Sequence, residues 1–266
     1  MRVEDWDRYW RFEELRRSFD PLDFRRWKRD SQRALRELHP GDGVRLLDAT
    51  AGMGDHTVNL AEEGFVVEAC DASPVARELT ERALREAGLE VPVIGARWES
   101  LGEVRPAAFD LIFNDALHWT YERDALAAQL RGHLAALRPG GALVFFFADA
   151  REPDEGAGLR LLEWDWSQLG EPERVEWSYA SSEVSIALRV HATRGHDFLD
   201  ERHRFEARRG DDVQVTELTM RRVYRWDWFA LSRLLTEVGF VDLRSEVFEN
   251  RAKGYTFAMN HAFRPR

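Results

Sequence analysis

Residues 46–56 read Leu46-Leu47-Asp48-Ala49-Thr50-Ala51-Gly52-Met53-Gly54-Asp55-His56. An apolar, strand-like run enters a loop with two glycines, and a helical pattern follows near residues 55–63. Glycines let a backbone approach a ligand closely, and the first turn of a helix offers N–H groups with no partner inside the helix. Residues 65–70 read as a second strand, and Asp71 at its end is placed to accept hydrogen bonds from ribose hydroxyls. Strand, glycine loop, helix, strand and acid together make a nucleotide-binding arrangement.

Outward from that loop, strands and helices alternate between residues 44 and 147. Strands are predicted at 44–49, 65–70, 91–95, 109–114 and 142–147, the last apolar on both faces as a central parallel strand should be. Ser73 and Pro74 supply an N-cap and a first helical residue. A later helix carries Leu126, Leu130, Leu134 and Leu137 on one side and is stopped by Arg138-Pro139-Gly140-Gly141. This rhythm predicts an α/β fold with a doubly wound, Rossmann-like sheet.

Upstream, residues 1–40 read as helical, with Trp6, Tyr9 and Trp10, then Phe12, Leu15 and Phe19, at helical spacing. Pro21 interrupts, Phe24, Trp27, Leu35 and Leu38 continue, and His39-Pro40-Gly41-Asp42-Gly43 breaks the pattern. Downstream, Val175, Trp177 and Tyr179 alternate with polar residues, as do Val184, Ile186, Leu188 and Val190, and then Val213 and Val215. These predict antiparallel strands with one wet face, inserted after strand five. A helix at 226–238, ended by Gly239, and strands at 241–248 and 255–263 close the chain. The expected organisation is a helical lid over 1–40, a core over 41–150, an antiparallel insertion over 151–225 and a C-terminal helix and strand pair over 226–266 that completes the core.

Composition narrows the partners. The net charge is −10, and the arginine-rich patches at Arg16 and Arg17, at Arg25 to Arg29, and at Arg208 and Arg209 are interleaved with acids. A chain that gains affinity by neutralising phosphates carries a basic face, so nucleic acid is not an expected partner. No apolar run approaches the ~18 residues of a membrane helix, and the N-terminus lacks a signal-peptide core. With Cys70 the single cysteine, a reducing cytoplasm is the expected compartment. His191, His196 and His203 lack metal-ligand spacing. Which nucleotide the loop takes is also constrained. A dinucleotide fingerprint needs a third glycine where Thr57 stands, and Asp55 occupies the helix start where a pyrophosphate would sit. With Asp48 adding a further acid, the loop suits a cationic cofactor without phosphate, and S-adenosylmethionine fits both constraints.

The stretch from Leu46 to Gly54 resembles the first motif of class I S-adenosylmethionine-dependent methyltransferases. The turn with Asp71, the strand Phe109-Asp110-Leu111-Ile112 and the turn Leu137-Arg138-Pro139-Gly140-Gly141 resemble that class's later motifs in order and separation. Thr50 departs from it, standing where many members carry glycine. The resemblance implies a seven-stranded sheet, S-adenosylmethionine as methyl donor with S-adenosylhomocysteine as product, and a small-molecule acceptor. It implies a cofactor set of Trp27, Asp48, Ala49, Gly52, Gly54, Asp71, Ala72, Arg97, Trp98 and Asn114.

A second resemblance bears on the acceptor. Ala96-Arg97-Trp98 is similar to the Ala-Asn-Trp of glycine N-methyltransferases, with Arg97 departing from it, which implies that Trp98 lines the adenine pocket. Asn114-Asp115-Ala116-Leu117-His118 and Asp149-Ala150-Arg151 are similar to that family's Asn-x-x-x-His and Asp-His-Arg. The implied acceptor is glycine or a methylated glycine, with Arg151 gripping its carboxylate through two parallel bonds, Asn114 and Tyr224 around the amine, and His118 or a water as base. Other readings stay open: a surface ion pair for Arg151, a helix cap for His118, and a sheet-edge cover for Trp98. His56 reads as a helix-start residue and Cys70 as packing. Rival functions are a methyltransferase for another small acceptor, by O-, S- or natural-product N-methylation, and a non-catalytic S-adenosylmethionine-binding protein.

Overall fold

Leu46 and Leu47 are both fully buried, and they feed opposite cores. Side chains alternate along a strand, so burial of two successive residues means that both faces of the sheet are covered. The computed structural model describes residues 3–19, 23–117, 122–146, 174–194, 199–222, 228–250 and 255–266. Its elements run α1 (Val3–Arg17), α2 (Phe24–Leu38), β1 (Arg45–Asp48), α3 (Asp55–Glu62), β2 (Val66–Cys70), α4 (Pro74–Glu86) and β3 (Val93–Ile94). A short turn of helix, α5 (Leu101–Val104), precedes β4 (Phe109–Asn114), α6 (Arg123–Ala136) and β5 (Leu137–Phe146). Then follow β6 (Arg174–Ala180), β7 (Val184–Arg194), β8 (Leu199–Arg209), β9 (Asp212–Arg222), α7 (Trp228–Val238), β10 (Val241–Asn250) and β11 (Tyr255–Phe263). Among the described residues no helix is long and apolar enough to cross a membrane.

The chain divides into two units. The larger takes residues 23–162 and 225–266 and holds a seven-stranded sheet in the order β10-β11-β5-β4-β1-β2-β3. All neighbours are parallel except β11, which runs antiparallel to both β5 and β10. One face packs Leu47, Ile112, Leu143 and Phe145 with Leu101 of α5, Leu126 and Leu130 of α6, and Leu231, Leu234 and Leu235 of α7. The other packs Leu46, Leu111, Phe113 and Val144 with Leu35 of α2 and Leu60 of α3. Strand order reverses between β1 and β4, which sets the switch point where this architecture binds ligands. The start of β5 differs from expectation. The ladder begins at Leu137, opposite Phe109, slips through Gly140 at φ +80°, and resumes with Ala142 opposite Leu111. The glycine turn is a bulge within the strand rather than a linker before it.

The smaller unit, residues 1–22 and 163–224, joins α1 to the antiparallel sheet β6-β7-β8-β9. The segment 1–40, read as one lid, thus falls in two units. Phe12 of α1 lies against Phe205, ring centroids 3.9 Å apart, with Ile186, Leu188, Val190 and Leu218. The face assigned to three valines is corrected. Val175, Val213 and Val215 are exposed. A register slip between Val175 and Trp177 puts Val175 opposite Arg189 while Trp177 meets Leu188. Val213 and Val215 stand opposite Arg208 and Glu206, on the solvent side. The inward residues come from β7, from Leu218 of β9 and from β8, whose charged sequence hides Phe205 and the buried His203.

Two buried histidines in the larger unit must stay neutral. His133 is pushed down to about 4 by burial; its rings nitrogens meet Gln129 O at 2.7 Å and Asn114 Nδ2 at 3.1 Å. His261 is also pushed down to about 4, first by burial, then by His39 and Arg244. Unfolded histidine titrates near 6.5, so the stabilisation is complete above that pH and is lost as pH falls toward about 4. Each group contributes on the order of 3 kcal/mol to this slope. We expect urea unfolding to show stability falling steeply between pH 6.5 and 4, and His261→Phe to flatten that fall.

Candidate active site

The loop between β1 and α3 is built by two left-handed glycines, Gly52 at φ +54° and Gly54 at φ +85°. Gly54 also admits no side chain: a Cβ there would lie 3.0 Å from Ala83 Cβ and 3.2 Å from Thr80 Cα. The start of α3 is therefore seated directly on α4, and Thr80 Oγ1 donates to Gly52 O at 3.1 Å. Asp71, one residue past β2, ties this loop to the next. Its Oδ2 accepts the Gly52 N–H at 3.1 Å and its Oδ1 the Ser73 N–H at 2.9 Å, while Ser73 Oγ caps α4 by accepting from Ala76 N at 3.1 Å. Burial pushes the Asp71 carboxyl up to about 6, against the two N–H groups that pull it down. A carboxylate has about four lone-pair directions, so Asp71 has acceptor capacity beyond these two bonds.

The acids argued to repel phosphate have partners within the fold. Asp48 is fully buried; Oδ2 accepts from Thr57 Oγ1 at 2.7 Å and Oδ1 from the Thr50 N–H at 3.0 Å. Burial nonetheless holds its carboxyl above the usual range. Asp55 lies 3.7 Å from Lys28 of α2. Thr57, noted only as a missing glycine, is thus a positive requirement: its hydroxyl satisfies Asp48.

Ala49 and Ala72 flank the clasp. Ala49 O accepts the Trp98 indole N–H at 2.7 Å, and Ala72 O accepts from Arg77 at 3.0 Å. Trp98 is half-buried and meets His133 edge-on, ring centroids 5.7 Å apart. A Cβ on Gly132 of α6 would fall within 3.0 Å of the Trp98 and Glu99 carbonyl carbons, so α6 rests directly on the Trp98 turn. Arg97 is exposed and lies 3.9 Å from Glu99. Asn114 is fully buried; its amide nitrogen meets His133 and its oxygen accepts the Ala116 N–H at 3.0 Å. His118, Arg151 and Tyr224 lie outside the described residues, as does the Trp27 side chain.

Sequence reasoning missed a buried chain. His56 is not merely a helix-start residue: it is 4% exposed, with Nε2 2.8 Å from Asp115 Oδ2 and Nδ1 2.6 Å from Gln32 Nε2. No sequence spacing links positions 32, 56 and 115, although Asp115 lies inside a stretch already singled out.

Residues 46–141 match the family described as "Methyltransferase domain". No curated protein matches the chain by sequence. Solved structures share the fold. An S-adenosylmethionine-dependent methyltransferase from Clostridium acetobutylicum is 16% identical, with 96% of each chain covered and a TM-score of 0.67. The sugar N-methyltransferase KedS8 from Streptoalloteichus is 18% identical, with 96% of this chain and 93% of that one covered and a TM-score of 0.67. CalS10, an amino pentose methyltransferase from Micromonospora echinaspora with S-adenosylmethionine bound, is 17% identical, with 95% and 96% covered and a TM-score of 0.64. The match to a methyltransferase domain thus covers the segment that carries the glycine loop and Asp71, and the fold is one shared with S-adenosylmethionine-dependent methyltransferases.

The donor set suits an adenosyl ligand: a carboxylate with acceptor capacity at the end of β2 beside a loop bare of side chains at Gly52 and Gly54. Asp71→Asn should weaken S-adenosylmethionine binding by about 1–3 kcal/mol, through loss of a charged acceptor. Wild-type affinity should fall as pH drops below about 6, where the carboxylate protonates; calorimetry across pH reads both. Gly132→Ala should cost about 1–3 kcal/mol of stability by overpacking and weaken the same ligand by displacing Trp98, measured by chemical unfolding and titration.

Proposed function

We propose that this chain is an S-adenosylmethionine-dependent methyltransferase that places the methyl group on an amine nitrogen of a small polar molecule. The observation that carries the acceptor class is the likeness to a sugar N-methyltransferase and an amino pentose methyltransferase, which spans nearly the whole chain and not the core alone. Two acceptors are favoured. An amino sugar is favoured by those neighbours. Glycine or a methylated glycine is favoured by the Asp149-Ala150-Arg151 stretch.

On this reading Asp71 accepts the ribose hydroxyls, the backbone at Ala49, Gly52 and Gly54 lies along the cofactor with Asp48 behind it, and Ala72, Arg97 and Trp98 border the adenine. Asn114 fixes the turn at the end of β4, and Trp27 belongs to the helix beside α3. When bound, S-adenosylmethionine supplies a methyl on a sulfonium, a leaving group that needs neither acid nor metal. The chain's own task is to align the acceptor nitrogen with the methyl carbon and to exclude water. It must also receive the amine in its neutral form, which burial favours. His118 is the proposed proton acceptor. Arg151 is the proposed hold on a carboxylate-bearing acceptor, and an amino sugar would not call on it. Asn114, buried and engaged with His133 and the Ala116 N–H, acts through its turn and not on the acceptor.

Methyl transfer from labelled donor to amino sugars, glycine, sarcosine, phenols and thiols tests this. Label should appear on amines, and label confined to phenols or thiols overturns N-methylation. Arg151→Ala should raise KM for amino-acid acceptors by about ten- to a hundredfold, as loss of a charged bond implies, and leave amino sugars unaffected. An unchanged KM for glycine and sarcosine removes the clamp.

A further inference from the structure

The polar chain that ends at Asp115 is fixed link by link from the interior outward. Asn59 Nδ2 donates to Arg25 O at 2.9 Å, which settles which end of its amide is the donor. The same nitrogen lies 3.4 Å from Gln32 Oε1. Gln32 is fully buried, and its own Nε2 donates to Ser31 Oγ at 2.8 Å and to His56 Nδ1 at 2.6 Å. Turning the Gln32 amide over would set two NH2 groups against each other, so its orientation follows from Asn59. With Nδ1 accepting, the ring hydrogen sits on Nε2, and Nε2 donates to Asp115 Oδ2 at 2.8 Å. The Asp115 N–H donates to Thr50 Oγ1 at 3.2 Å, which binds the same residue to the glycine loop.

This chain brings a carboxylate to the surface at one place. The His56 side chain is 5% exposed and that of Asp115 is 35% exposed. Asp115 follows β4, on the far side of β1 from β2 and Asp71. Two strand spacings, about 10 Å, separate those strands. If Asp71 takes the ribose, the reacting end of the donor lies toward β4, because ligands in this architecture lie across the carboxyl ends at the switch point. A carboxylate there, with one oxygen pinned by a buried imidazole and its side chain 35% exposed, is open to an N–H brought by a ligand. Its orientation is set before ligand arrives, so less side-chain freedom is lost on binding.

We infer that Asp115 is the carboxylate that receives the amino group of the methyl acceptor, and that His56 and Gln32 are positioning residues that aim it. This rests on the methyltransferase reading above. It makes Asp115 a specificity element: an N–H-bearing acceptor gains a charge-assisted bond and an anionic one meets repulsion. An acceptor that arrives as the cation must still give its proton to His118 or water before the nitrogen can attack.

Sinefungin tests this without knowledge of the natural acceptor, because an amine-bearing carbon stands in it where the donor has its sulfonium and methyl. Its affinity is compared with that of S-adenosylhomocysteine, which lacks that amine, by calorimetry. The wild-type protein should prefer sinefungin by about tenfold or more, the size of a charge-assisted bond. Asp115→Asn should remove most of that preference while binding S-adenosylhomocysteine within about twofold of wild type. His56→Phe should reduce the preference in part, again with little change toward S-adenosylhomocysteine. Equal weakening of both ligands by Asp115→Asn would place Asp115 on the donor's own amino-acid end and overturn the inference. So would an undiminished preference in that variant. A wild-type protein with no preference overturns it without any variant, which covers the case of variants that fail to fold. A wild-type protein that binds neither ligand overturns the methyltransferase reading itself, a result distinct from the others.

Discussion

The Asp71 carboxylate, shared between the Gly52 and Ser73 N–H groups, joins the two loops on which the site is built. Two hydrogen bonds to backbone N–H would ordinarily hold a carboxylate low. Here desolvation is the larger effect, and the group rises to about 6. The difference from an exposed aspartate corresponds to roughly 3 kcal/mol of unfavourable burial. Such a group is stable only because the surrounding structure fixes it: Gly54 seats α3 on α4, Thr80 holds Gly52 O, and Ser73 caps α4. Hydroxyls delivered by a ligand would restore solvation that the fold withholds. Perturbed carboxyls concentrate at functional sites for this reason.

What the sequence made legible was local and two-sided. β4 at residues 109–114 and β11 at residues 255–263 coincide with their expected spans. β4 is nearly continuous in apolar side chains, because both of its faces meet a helical layer. β8 was illegible for the opposite reason. Asp200, Glu201, Arg202, Arg204, Glu206, Arg208 and Arg209 dominate its pattern, and its inward contribution rests on His203 and Phe205. The exposed Val175 shows a further limit. Alternation assigns faces only while register is continuous, and the slip between Val175 and Trp177 breaks it.

The site divides in the same way. The glycine loop and Asp71 could be read because their chemistry sits in short segments, and the structure brings Gly52 to Asp71. The acidic character of the loop was read correctly as sequence, yet its physical meaning changed. Asp48 is a buried hub for Thr50 and Thr57, and Asp55 lies near Lys28, so neither is an unpartnered charge facing the cofactor. Asn114 likewise belongs to its own turn and to His133. The Gln32–His56–Asp115 chain draws on three elements and on contacts 24 and 59 positions apart, which no local pattern encodes.

Two carboxylates thus flank the loop, one beyond β2 and one beyond β4, and their partners differ in kind. Asp71 is held by backbone N–H groups that cannot change their proton count, so its environment is fixed. Asp115 is held by an imidazole whose hydrogen is assigned by a distant amide, and it stays partly open to water. A group that grips an invariant ribose needs only rigidity. A group that meets an incoming amine needs a defined direction and residual solvation, since an amine arrives hydrated and leaves bearing a methyl group. The buried end of the chain supplies the direction, and the exposed end the access. If Asp71 is to grip a ribose and Asp115 to meet an amine, as proposed, reversing the two arrangements would leave the first loose and the second sealed, so the asymmetry between β2 and β4 matches those two roles.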